Sequence, residues 1–108
     1  MKAMNAKKLI KQVNRVIKVH FSDFIGTYFF GSRAGNNYSK DSDYDLLLTF
    51  GHQLDWQEKN QIYDLIADIE LKEKIIIDIK AYHERDFKDR WTPFREKVLK
   101  EGIFYGAI

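Results

Sequence analysis

The chain has 108 residues, 44% of them apolar and 31% charged, with a formal net charge of +2 and no cysteine. That size suits a single domain over residues 1–108 and excludes a catalytic domain joined to a separate substrate domain. The interspersed charges give no broad nucleic-acid surface. The missing cysteines rule out a disulfide framework, a thiolate nucleophile and a Cys-based zinc site, and fit a cytoplasmic protein, while no apolar run reaches membrane-spanning length.

Residues 5–20 predict a helix, with Leu9, Val13, Val16, Ile17 and His20 on one face and lysines and Arg15 largely opposite. A strand at 24–30 stops at Gly31, and Ser32 reads as the N-cap of a short helix through Arg33 and Ala34. Gly35, Asn36 and Asn37 make a loop. The second strand covers 43–50: Tyr44, Leu46, Leu48 and Phe50 point one way, and Asp43, Asp45, Leu47 and Thr49 the other. Gly51 breaks it. Asp55 with Glu58 opens a long helix whose buried stripe is Ile62, Leu65, Ile66 and Ile69.

A third strand is expected at 74–82. Its run Ile75-Ile76-Ile77 reads as a strand covered on both faces. The charged segment from His83 to Trp91 forms a short helix or turn. Thr92 as N-cap and Pro93 at the first position start the last helix, which ends near Glu101 with Gly102 as its cap. The apolar tail 103–108 packs back on the domain or meets a partner. The three histidines, His20, His52 and His83, are far apart and read as surface or helix-end residues. The order of elements gives an α/β domain of two or three layers around a small central sheet.

The chemistry is concentrated between residues 31 and 50. Asp43 and Asp45 are two positions apart, which on a strand puts both carboxylates on one face, about 7 Å apart. Aspartate is disfavoured in strands, and a cation between the two removes their repulsion. Gly31 and Ser32 offer backbone N–H groups and a hydroxyl suited to phosphate oxygens. Asp78 interrupts an apolar strand, where an unpaired carboxylate costs several kcal/mol, of order 5. If strands two and three are neighbours, Asp78 joins the pair, and three carboxylates make a site for one or two magnesium ions that also meet substrate phosphates. Read alone, Asp43 and Asp45 fit two solvated residues at a strand entrance equally well. Asp78 and the Gly31-Ser32 spacing tip the balance to a metal site.

Gly31-Ser32, ten residues, Asp43, one residue, Asp45, and a later strand aspartate, Asp78, resemble the DNA polymerase β-type nucleotidyltransferase superfamily. The pattern is closer still to the minimal nucleotidyltransferases, whose partners are HEPN-domain proteins. The match spans nearly the whole chain, including its leading helix and the closing segment from Thr92. The resemblance implies an α+β fold with a small mixed sheet flanked by helices. It also implies the roles. Gly31, Ser32 and Arg33 would bind nucleotide, and Asp43, Asp45 and Asp78 would be the catalytic metal ligands for two Mg²⁺ ions with ATP as substrate. Family members often carry a second arginine and a glycine where this chain has Gly35 and Asn36.

The resemblance implies transfer of AMP to a hydroxyl of a separately encoded helical HEPN-type protein, making this chain the antitoxin of a pair. Two rivals remain. One is a catalytically weak binding protein that neutralises its partner by occlusion. The other is a transferase acting on a small hydroxylated molecule such as an antibiotic, with a homo-oligomer supplying the acceptor site.

Overall fold

A computed structural model describes residues 5–35, 38–39, 41–89 and 91–107. Helix α1 spans Ala6–His20. The Asn5 side chain caps it, accepting from the Lys7 and Lys8 backbone N–H groups. Its buried face is Leu9, Ile10, Val13, Asn14 and Ile17, so Ile10 and Asn14 replace the expected His20, which is exposed. Strands β1 (Phe24–Phe30) and β2 (Tyr44–Phe50) form an antiparallel pair. The expected capping box at Asp55 and Glu58 is present and starts α2, Trp56–Glu73. Then come β3 (Ile77–His83), the short α3 (Glu84–Asp89) and α4 (Pro93–Glu101), capped by Thr92 as its sequence predicts.

The tail is a fourth strand, β4 (Ile103–Gly106), antiparallel to β1. The sheet order is β3-β2-β1-β4. β2 and β3 run parallel because the connection between them is α2, a helical crossover. The sheet is therefore mixed.

Strand alternation sends the two faces of β2 into different cores. Tyr44, Leu46, Leu48 and Phe50 pack with α1 and α2, against Leu9, Val13, Ile17, Ile62, Ile66 and Ile69. Leu47 packs on the opposite face with Phe30, Phe87 and Val98, under α3 and α4. The domain has three layers. At a transfer free energy of about 25 cal/mol per Å², the larger face supplies most of the apolar driving force. The smaller face is thin, and it is the one that carries the acidic residues.

Four expectations are corrected. Residues 31–35 form a turn closed by the Ala34 N–H on the Gly31 carbonyl, so Ser32 caps no helix. β2 begins at Tyr44, with Asp43 just ahead of it. β3 begins at Ile77, because Lys74 takes a left-handed conformation and ends α2 there. β3 is also an edge strand, and Ile76 is 59% exposed, so the isoleucine run is not covered on both faces. Among the described residues no helix is long and apolar enough to cross a membrane.

Two polar ties fix the outer elements. Buried Asn14 accepts from the Thr27 hydroxyl and donates to the Tyr105 and Gly106 carbonyls, which fastens α1 to β4. His52 bridges Asp23 and Glu58, joining the loop before β1 to the first turn of α2. Its hydrogen bonds to Asp23 and then Glu58 hold the imidazolium, raising its pKa above 6.5. A raised folded-state pKa contributes stability that is complete below 6.5 and lost as pH rises through the raised value. The melting temperature of the natural chain should therefore fall more between mildly acidic and alkaline pH than that of His52→Gln. Parallel curves for the two proteins would show that the bridge contributes nothing.

Candidate active site

The parallel pairing of β2 with β3 makes Asp45 and Asp78 direct neighbours in register. Both project from the face that carries Leu47, since Asp45 and Leu47 share strand parity, but Asp45 is half-buried while Asp78, expected inside a buried strand, is exposed because β3 is an edge strand. The carboxyl of Asp45 is held above its usual pKa. The largest cause is burial, followed by the charge of Asp78, a hydrogen bond shared with Asp78 and the charge of Asp43, while Lys80 acts in the opposite sense. Lys80 Nζ stands 3.6 Å from Asp78 Oδ2 and over the Phe94 ring at 5.6 Å from its centroid. One ammonium thus faces a group of carboxylates that it cannot neutralise.

Gly31 ends β1 with φ +81°, in the region that favours glycine. A Cβ built on it would lie 2.0 Å from Asp45 Oδ2 and 2.7 Å from Asp45 Cγ. The backbone of the turn therefore rests directly on the Asp45 carboxylate. Ser32 follows and is exposed. The turn and the Asp45–Asp78 pair form one contiguous surface.

Arg33 braces the loop between the turn and β2. Its Nε donates to the Ser42 carbonyl at 2.6 Å and its Nη1 to the Tyr44 hydroxyl at 3.1 Å. The guanidinium also lies over the Tyr44 ring, 4.2 Å from the centroid, and over Tyr38 at 4.9 Å. Such stacking adds about 0.5–1 kcal/mol at exposed sites. Arg33 so grips the residues on both sides of Asp43 and sets where that carboxylate stands.

Asp43 is exposed. It acts on Asp45 through its charge, yet among the described residues no three acidic or histidine side chains gather closely enough to hold one ion. The structure therefore joins Asp45 with Asp78 and leaves Asp43 at the rim. Hard oxygen donors that repel one another fit a magnesium ion, and Asp45 and Asp78 supply such a pair. Gly35 is exposed at the end of the turn, and Asn36 and Asn37, expected in the loop, lie outside the described residues. Sequence reasoning passed over Phe94, which backs Lys80 and meets Phe30 edge-on at 5.5 Å. Its only sequence signal is its place right after Pro93 in the first turn of α4.

The family model described as polymerase beta, nucleotidyltransferase matches residues 7–104. No curated protein shows significant similarity to the chain. Solved structures share the fold at low identity. One is a mutant of the toxin–antitoxin MntA–HpeT. It is 15% identical with a TM-score of 0.63, over 94% of this chain and 71% of that one. A toxin–antitoxin with AMP-PNP is 15% identical with a TM-score of 0.64, over 93% of this chain and 72% of that one. A third holds the tri-AMPylated Shewanella oneidensis HEPN toxin in complex with MNT antitoxin. It is 14% identical with a TM-score of 0.55, over 91% of this chain and 71% of that one.

Two outcomes follow from the geometry. Because the folded state raises the Asp45 pKa above 3.8, the stability tied to its neutral form is complete below 3.8 and lost as pH rises through the raised value. At neutral pH without divalent ions, Asp45→Asn should melt a few degrees higher than the natural chain, about 4–8 °C per kcal/mol. Added Mg²⁺ should stabilise the natural chain and not the variant. An equal Mg²⁺ shift in both proteins would show that Asp45 binds no Mg²⁺. Gly31→Ala should destabilise by about 1–3 kcal/mol through backbone strain and the clash with Asp45. Urea unfolding of Gly31→Ala, Asp45→Ala and the double variant should reveal a coupling of about 0.5–3 kcal/mol. Simple additivity would show that the two do not touch.

Proposed function

The chain belongs to the polymerase beta nucleotidyltransferase family, and from that premise we propose that it transfers AMP from ATP to a hydroxyl of a protein partner. The partner would be a HEPN-type helical protein, with this chain as the antitoxin. The observation that carries this reading is the Asp45–Asp78 pair lying against the Gly31 turn. Support for the acceptor comes from the fold likeness to a chain of the complex between a tri-AMPylated HEPN toxin and MNT antitoxin, and for the nucleotide from a likeness to a chain of a toxin–antitoxin with AMP-PNP.

In this reading the backbone N–H groups of the Gly31 turn and the Ser32 hydroxyl hold phosphate oxygens. Asp45 and Asp78, with Asp43 at the rim, would hold the two Mg²⁺ ions. When bound, such ions neutralise phosphate charge and favour in-line displacement at phosphorus. The acceptor oxygen attacks the α-phosphorus, the bond to the bridging oxygen breaks, and pyrophosphate leaves. The acceptor proton passes to a carboxylate of the cluster or to water. Arg33 serves by bracing the loop, with its guanidinium bound to Ser42 and Tyr44. Most of the catalysis available to such a site is positioning and charge stabilisation.

The test is incubation with each labelled nucleoside triphosphate and Mg²⁺, with and without a HEPN-type partner, followed by intact-mass measurement. The partner should gain AMP on a tyrosine hydroxyl. Asp45→Asn and Asp78→Asn should each lower the rate by about a hundredfold or more. Unimpaired transfer by either variant would overturn the site. Rapid transfer to a small hydroxylated molecule, with none to protein, would favour a small acceptor.

A further inference from the structure

At the opposite edge of the sheet from Asp78 lies a surface that the transfer chemistry does not use. There α1 carries Lys7, Lys8, Lys11, Arg15 and Lys18 and not one acidic residue. Helix α2, by contrast, carries Glu58, Asp64, Asp68, Glu70 and Glu73 against Lys59 and Lys72. The small net charge of the chain conceals this segregation.

Between α1 and β4 runs an open groove of about 690 Å³, lined by Lys11, Arg15, Lys18 and Val19 on one side and by Tyr105 and Gly106 on the other. That is the size of a ligand-binding cleft. Among the described residues none of these three cations forms an ion pair. Lys18 is steadied by the Ser22 and Phe24 carbonyls, which fixes its position and leaves its charge uncompensated. Val19 is 77% exposed and gives the groove an apolar lip.

The other wall is a strand edge. The Ala107 N–H bonds the Ile25 carbonyl of the neighbouring chain segment. Alternation along β4 then turns the N–H groups of Phe104 and Gly106 outward, away from β1, where the Gly106 carbonyl already accepts from Asn14. A strand edge is a template for another strand. An extended polypeptide can pair with that edge while its carboxylates meet the cations of α1. A nucleic-acid strand could use the cations but not the peptide edge.

We propose that this groove is the docking site for an extended, acidic segment of a separate protein, which adds beside β4 as a fifth strand. The proposal stands on charge complementarity and the open edge, and is independent of the transfer reaction.

Panning a library of displayed random eight-residue peptides against the full chain tests it. Enriched peptides should be acidic with alternating apolar positions, and the enrichment should vanish with the Lys11→Glu/Arg15→Glu variant. All the substituted side chains are exposed, and circular dichroism would verify folding. A synthetic copy of an enriched peptide should bind that variant about tenfold more weakly. It should also slow hydrogen exchange at the Phe104 and Gly106 amides. Enrichment that ignores charge, or survives the reversal, would overturn the proposal. So would protection elsewhere on the chain, tighter binding of a single-stranded oligonucleotide at the same cations, or self-association that the variant abolishes.

Discussion

Everything at the candidate site depends on the contact of one carboxylate with a backbone turn on one side and a second carboxylate on the other. Asp45 sits on β2 with Asp78 beside it on β3 and the Gly31 turn pressed against it. The parallel β2–β3 pairing brings the acids together, and the antiparallel β1–β2 pairing brings the turn over them, since Phe30 is the register partner of Asp45. Shifting either register by one residue would send Asp45 into the apolar core between the sheet and α1. The buried even-numbered side chains of β2 prevent that slip.

The two faces of the sheet divide the work. Helices α1 and α2 bury the larger core and hold the register. The opposite face is covered by the short α3 and α4 around Phe30, Leu47, Phe87 and Val98. A thinly covered face can tolerate carboxylates near its rim, where water reaches them, at a smaller desolvation cost than the main core would impose. Asp45 accordingly carries a raised pKa from partial burial and like charge without being sealed off. Lys80, backed by Phe94, brings a positive charge to this pair.

Charge is also divided between elements. The basic face of α1 borders the β4 edge, and the acidic α2 lies with the rest of the first layer. Asn14 joins these regions by holding β4 to α1 through the Tyr105 and Gly106 carbonyls. The tail becomes a strand because β1 leaves an unpaired edge, and Gly26 leaves space for the Phe104 ring to lie across it.

The sequence by itself determined the long helices, the first three strands and the spacing of Gly31, Asp43, Asp45 and Asp78. Those features rest on local chemistry: the Asp55–Glu58 capping box, the Thr92–Pro93 start, and the alternation along β2. The tertiary structure alone decided the rest. Strand neighbours are long-range choices, so the parallel pairing that brings Asp78 to Asp45 was legible only as a condition. The edge position of β3 overruled its isoleucine run, because burial is set by neighbours and not by composition. The tail reads as merely apolar until β1 offers it hydrogen bonds. Arg33 reads as a nucleotide ligand by resemblance, and its bonds to Ser42 and Tyr44 depend on where the start of β2 is brought to it. Asn14 and His52 carry no local signal, since their partners Thr27, Tyr105, Asp23 and Glu58 are brought to them only when the layers close.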